Sequence, residues 1–185
     1  MKTLFEKYQT ETVPRLKTEL HLSNSLAVPR IKKVVVNTGI GKFLKDEKAL
    51  ETIDRDFTLI VGQKPTKRKA KKSIAGFKVR EGVEIGLVAT LRGKRMWDFL
   101  TRFIFLTLPR LRDFRGINAK CIDKSGNLTI GVKEHIVFPE VSLEDLRNVF
   151  GLEVTIVTSA KNKESARVLF QEIGIPFAKE EARKK

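Results

Sequence analysis

The chain predicts an α+β fold: a two-layer sandwich of a mainly antiparallel sheet with helices on one face and the other face open. Three observations lead there. Two segments, Glu84 to Arg92 and Asn127 to Lys133, alternate apolar and polar residues, which marks strands with one buried and one wet face, as antiparallel sheets commonly have. Other segments repeat apolar residues every three or four positions, the period of a helix with one buried stripe. Finally, no repeat, low-complexity linker or Pro/Gly-rich hinge divides the chain. Residues 1–178 are therefore expected to make a single α+β domain with an extended basic loop at about 64–82, followed by a charged tail at 179–185.

The elements follow in order. Thr3 to His21 is a polar helical stretch interrupted at Pro14, which suits a first-turn proline or a break between two short helices. Ile31 to Ile40 carries the β-branched run Val34, Val35, Val36 and is a strand by propensity. Leu50, Ile53, Phe57 and Ile60 line one face of a helix that Gly62 ends. In the strand from Glu84 to Arg92, Ile85, Leu87, Ala89 and Leu91 point to the core, while Glu84, Gly86, Val88, Thr90 and Arg92 point away. Met96, Phe99, Leu100, Phe103 and Thr107 form the stripe of a deeply packed helix that stops near Pro109. Leu128, Ile130 and Val132 are the inward residues of the next strand, Leu152 to Thr158 is another, and Asn162 caps a helix striped by Ala166, Leu169, Phe170 and Ile173.

Charge says what the open face meets. Between Gln63 and Arg95 stand eleven Lys or Arg against two Glu and no Asp, which is nine of the fifteen excess positive charges of the 185-residue chain. Such a density cannot enter an apolar interior without partners the local sequence lacks, so it faces water or a polyanion. Clustering beyond what solubility needs favours a polyanion, and nucleic acid binds through the counterions that its neutralised phosphates release. With 41% hydrophobic residues and twelve Phe the chain is expected to fold. Its longest apolar run, Phe103 to Leu106, is far too short to span a membrane, and Met1 to Tyr8 has no signal-peptide character. An intracellular, soluble protein is expected, with no membrane partner.

The polar residues on the open face narrow the nucleic acid. Readers of single strands stack bases on Phe or Tyr; here the central strands offer Asn37, Thr90 and Arg92. Hydrogen bonding without stacking favours a folded RNA recognised by shape, groove and backbone. The common DNA motifs of zinc-finger spacing and basic heptads are missing. Catalytic readings are weaker. Thr38-Gly39-Ile40-Gly41-Lys42 resembles a phosphate loop, but Val36, Phe43 and Leu44 stand where its defining Gly, Ser/Thr and third Gly belong. Gly39 and Gly41 are expected instead to allow positive φ or close backbone approach. His21 and His135 read as surface or capping residues, Glu134 and Glu140 as a weak carboxylate pair, and the lone Cys121 as a small buried or neutral residue. No metal and no cofactor is expected. The competing readings are an RNA-modifying or RNA-processing enzyme holding substrate on the same surface, and a DNA-compacting protein.

The motifs also carry a resemblance. Val28-Pro29-Arg30-Ile31, Gly62-Gln63-Lys64-Pro65, the run from Ala70 to Gly82, Thr90-Leu91-Arg92-Gly93, Leu108-Pro109-Arg110, Arg112-Asp113-Phe114-Arg115-Gly116, Gly131-Val132-Lys133-Glu134, Phe138-Pro139-Glu140 and Gly174-Ile175-Pro176-Phe177 occur in this order. From about Leu4 to Phe177 the chain resembles the bacterial form of the universal large-subunit ribosomal protein five family. That resemblance implies a non-enzymatic constituent of the large subunit in the cytoplasm, a monomer within the ribosome, bound to 5S rRNA and large-subunit rRNA at the central protuberance. It implies 5S rRNA contacts at Asn37, Gln63, Thr90 and Arg92. A loop reaching the peptidyl-site tRNA would correspond to Lys71, Lys72, Ser73, Ile74, Ala75, Gly76, Phe77, Lys78 and Arg80. A bridge to a small-subunit head protein would fall on Arg110, Arg112, Phe114 and Arg115. Phe77 and Ile74 would pack on ribose or form an anchoring cluster at the loop's base.

Overall fold

The computed structural model describes residues 3–77, 79–112, 114–141 and 148–178. Five strands, β1 (Ile31–Gly39), β2 (Thr66–Lys69), β3 (Glu84–Leu91), β4 (Leu128–Val132) and β5 (Leu152–Thr158), make one open sheet in the order β2-β3-β1-β5-β4. The pairing of β2 with β3 is antiparallel. Ser159 N–H donates to Arg30 O beyond one end of β1, and the Thr38 hydroxyl donates to Gly151 O near the other, so β5 also runs against β1. The α+β expectation holds.

Helices supply the buried layer. They are α1 (Leu4–Lys7), α2 (Val13–Glu19), α3 (Glu47–Val61), α4 (Gly93–Arg102), α5 (Leu108–Arg110) and α6 (Lys163–Ile173). The predicted stripes are the buried ones: Ile53, Phe57 and Ile60 on α3, Met96, Phe99 and Leu100 on α4, and Ala166, Leu169, Phe170 and Ile173 on α6. Asp46 caps α3 by accepting from Ala49 N–H, and Gly62 closes it at φ 72°, a left-handed conformation a Cβ would oppose. Asn162 occupies the N-cap position of α6, but its side chain makes no capping bond.

Two prolines shape the longer helical runs in the same way. A π-helical turn at Tyr8–Thr12 precedes Pro14, and another at Phe103–Thr107 precedes Pro109. In each, the residue just before proline reaches back five positions, Val13 N–H to Tyr8 O and Leu108 N–H to Phe103 O. Proline offers no N–H to the carbonyl four residues earlier and crowds it, and the wider turn relieves that mismatch without ending the helix. Pro14 is thus a first-turn proline of α2, the first of the two alternatives, with no break before it, and the run through Pro109 ends at Arg110.

The chain forms two compact units. One contains the segments before Val35, from Arg92 to Ile130 and from Thr155 onward. Within it, Phe5 and Tyr8 pack their rings against Trp97 at 5.5 and 5.0 Å, and Arg15 pairs with Glu172. The other contains Val35–Leu91 and Gly131–Val154. Here α3 lies on β3: Leu50, Glu51, Asp54 and Arg55 share an open groove of about 520 Å³ with Lys67, Glu84 and Leu87.

His135 corrects the reading as a surface or capping residue. It is 2% exposed, stacks on Phe150 with ring centroids 4.0 Å apart, and lies 3.8 Å from Asp56 of α3. The sequence around it offered no periodicity from which burial could be read. Burial pushes its pKa below the usual 6.5, only partly offset by the Asp56 carboxylate and a backbone hydrogen bond with Phe150. A histidine more acidic in the folded than in the unfolded chain stabilises fully above the unfolded pKa. That stability is lost as pH falls through about 6.5 toward the folded pKa. Urea midpoints are therefore expected to drop between pH 7.5 and 5, and His135→Phe to flatten that part of the profile. An unchanged profile in the variant would remove His135 as its source. Cys121 and His21 are exposed; His21 sits just beyond α2 at φ 51°, fitting a helix-end role.

Candidate nucleic-acid interface

Alternation sorts the strand residues into two faces. On β1, Val34, Val36 and Thr38 are buried, whereas Asn37 and Gly39 are exposed and Val35 is half-buried. Asn37, ambiguous in a strand apolar on both sides, is thus on the open face. On β3, Leu87, Ala89 and Leu91 are buried while Val88 and Thr90 are half-buried. None of the five strands contains an aromatic residue. The open side offers hydrogen-bonding groups and small aliphatic surface, with no platform for base stacking.

The other predicted contacts frame this face. Gln63 is half-buried in the turn between Gly62 and β2. Arg92, expected as the last strand residue, instead follows β3 as the N-cap of α4. Its backbone stays extended at φ −140° and ψ 163°, and its side chain is exposed.

Two expectations for the strands change. Glu84, assigned outward with Thr90, joins Leu87 in lining the groove under α3 and accepts an ion pair from Lys67 at 2.9 Å. The cause is an irregularity in register between Arg68 and Lys69, which breaks simple alternation there. Gly39 and Gly41 need neither positive φ nor close approach, since a Cβ at either position would meet nothing within 4 Å. Thr38, the first residue of the supposed phosphate loop, is buried and donates its hydroxyl to Gly151 O at 2.7 Å.

The basic loop is a closed arm. The first part of it forms β2, a strand that four consecutive exposed residues, three of them cationic, gave no apolar pattern to reveal. Beyond β2, Ala70 N–H donates to Val83 O and Gly82 N–H to Ala70 O, at 2.8 and 3.0 Å. Further out, Ile74 bridges to Val79, and the Ser73 hydroxyl donates to Val79 O at 3.2 Å. A 3-10 turn, Ala75–Phe77, makes the tip. Lys71, Lys72, Ser73, Ile74, Ala75, Gly76, Phe77 and Arg80 are all exposed; Lys78 lies outside the described residues. Phe77 is 78% exposed and Ile74 50%, so Phe77 belongs to no anchoring cluster at the base. An apolar side chain held out on a cationic hairpin suits contact with a partner.

Arg110, the last residue of α5, is exposed, as are Arg112 and Arg115 beyond it, with Phe114 half-buried among them; Asp113 is outside the described residues. The segment is tied down just beyond, where Ile117 N–H donates to Pro176 O and Ala178 N–H to Ile117 O, at 2.8 and 3.0 Å. The charged tail 179–185 is outside the described residues.

Comparison with known proteins decides the family. Residues 24–80 match the family model described as Ribosomal protein L5, and residues 84–177 match the model for the C-terminus of the same ribosomal family. The chain belongs to the ribosomal protein L5 family. Its relatives include proteins named large ribosomal subunit protein uL5. That of Halothermothrix orenii is 48% identical over 96% of this chain and 99% of its own length. That of Desulfatibacillum aliphaticivorans is 49% identical over 97% and 100%. That of a Roseiflexus species is 49% identical over 94% and 97%. The L5 matches run through the arm, the open strands and the segment after α5, so every candidate contact sits in a matched region.

Proposed function

We propose that this L5-family chain is a non-enzymatic constituent of the large ribosomal subunit, working in the cytoplasm, and that it anchors 5S rRNA at the central protuberance. The polar groups taken to hold 5S rRNA are Asn37, Gln63, Thr90 and Arg92, alongside large-subunit rRNA. The arm from Lys71 to Arg80 touches peptidyl-site tRNA, with Phe77 and Ile74 against ribose and its cations against phosphates. Arg110, Arg112, Phe114 and Arg115 bridge to a small-subunit head protein. The single observation that carries the rRNA reading is the bare side of β1 and β3: Asn37 and Thr90 reach solvent where no aromatic competes, opposite a face sealed by buried Val36, Leu87 and Ala89. Hydrogen bonds aimed outward from a rigid sheet suit a prefolded RNA, whose backbone and groove edges present acceptors and donors at fixed spacing.

Titration of the full chain with 5S rRNA, tRNA and duplex DNA at moderate salt tests this. A clear preference for 5S rRNA is expected. Asn37→Ala and Thr90→Ala should each weaken it roughly tenfold, on the order of one good hydrogen bond to a charged or polar group, with circular dichroism unchanged. Arg92→Ala should reduce the preference as well as the salt slope; loss of slope alone would make Arg92 a plain phosphate contact. Equal affinity for all three polyanions would overturn the proposal.

A further inference from the structure

We propose that the RNA-binding face continues past β3 onto the edge strand β2, where Thr66 and Arg68 grip the ribose-phosphate backbone and the intervening Lys67 does not. This extends the rRNA reading above and rests on it. Cross-strand partners in an antiparallel pair point to the same face. Thr66 is opposite Val88 and Arg68 opposite Gly86, and these belong to the half of β3 that carries Thr90. Thr66 and Arg68 therefore join Asn37 and Thr90 on the open side. Both are exposed, and Arg68 has no ion-pair partner among the described residues. Gly86 places no side chain opposite Arg68, where its Cβ would lie 3.9 Å from that of Arg68 and 3.1 Å from Thr38 O. Gly86 thus sets no side chain between Arg68 and the β1 backbone at Thr38. Two residues of extended chain set Thr66 and Arg68 about 7 Å apart, two successive holds along one strand edge.

Lys67 is the internal contrast. It stands opposite buried Leu87, on the α3 side, and its ammonium is held by the Glu84 carboxylate at 2.9 Å. Adjacent cations of equal formal charge thus have opposite assignments. A purely electrostatic arm would not distinguish them.

The test is salt-dependent binding of full-length protein to 5S rRNA, comparing Arg68→Ala, Thr66→Val and Lys67→Ala with Thr90→Ala as benchmark. Folding of each is checked by circular dichroism. Arg68→Ala is expected to weaken binding about three- to tenfold and lower the slope of log K against log salt by about one, as loss of one phosphate contact does. Thr66→Val should cost about twofold, and Lys67→Ala should stay within twofold with its slope unchanged. Equal losses for Arg68→Ala and Lys67→Ala would overturn the assignment by showing that charge alone matters. A silent Arg68→Ala beside a weakened Thr90→Ala would confine the RNA to the inner strands and leave the underlying reading intact. If Thr90→Ala is silent too, the underlying reading fails with it.

Discussion

Gly116→Ala is expected to lower the melting temperature by about 5–10 °C and to release the end of the described chain. Gly116 has φ 100°, where L side chains are strained, and a Cβ there would come 2.6 Å from the carbonyl carbon of Phe177 and closer still to Ala178 N. Neither neighbour can rotate away, because both are backbone. They are held by the bonds from Ile117 N–H to Pro176 O and from Ala178 N–H to Ile117 O. Conformational strain of about 1–3 kcal/mol and an overpacking term of similar size both oppose the variant. A loss of about 2–4 kcal/mol in a chain of this length corresponds to the stated shift. Hydrogen exchange at Ile117 and Ala178 should accelerate together. Unchanged melting and unchanged protection would mean that the clamp yields freely. The clamp follows directly on Arg112, Phe114 and Arg115, so its release should also loosen the proposed bridge segment.

Phe57→Ala should cost about 3–5 kcal/mol, read as a fall in the urea midpoint. Phe57 is fully buried in the centre of the α3 stripe, between Ile53 and Ile60. Its removal leaves a cavity that the neighbouring turns of helix cannot close. Leu59 on the same helix is 46% exposed, and Leu59→Ala should change stability by no more than about 0.5 kcal/mol. At temperatures where the Phe57 variant remains folded, 5S rRNA affinity should match the parent, because α3 lies behind β3 and the residues proposed to contact RNA lie in front. A variant that loses RNA binding while fully folded would mean that the α3 layer and the open face are not independent.

Particular residues show which features were legible from sequence. Thr90 was placed correctly by strict alternation in a strand with one apolar and one polar side, where a slip of one residue would bury polar groups and expose Leu87 and Ala89. The stripes of α3, α4 and α6 were legible for the same reason, since their apolar periodicity admits one buried face. Asn37 resisted because Val35 and Val36 make both sides of β1 apolar, and only the structure shows Val36 buried and Asn37 exposed. Strand β2 was invisible because Thr66, Lys67, Arg68 and Lys69 carry no apolar signal; its conformation comes from pairing with β3 across the arm. Glu84 was misplaced because Ile85 is skipped in the pairing with β2, a break in β3's own alternation that the sequence pattern does not show.

By itself, then, the order of residues determined the fold class, the buried faces of regular elements, the cationic arm and the family, all of which depend on local periodicity or on charge that cannot be buried. The tertiary structure alone decided that β2 is a strand and which of its cations faces the sheet's open side. It likewise decided that Phe77 stands free and that His135 lies buried against Phe150. Each of these depends on which distant segment becomes the neighbour, and hydrogen bonds, ion pairs and burial act on that neighbour however far away it lies along the chain.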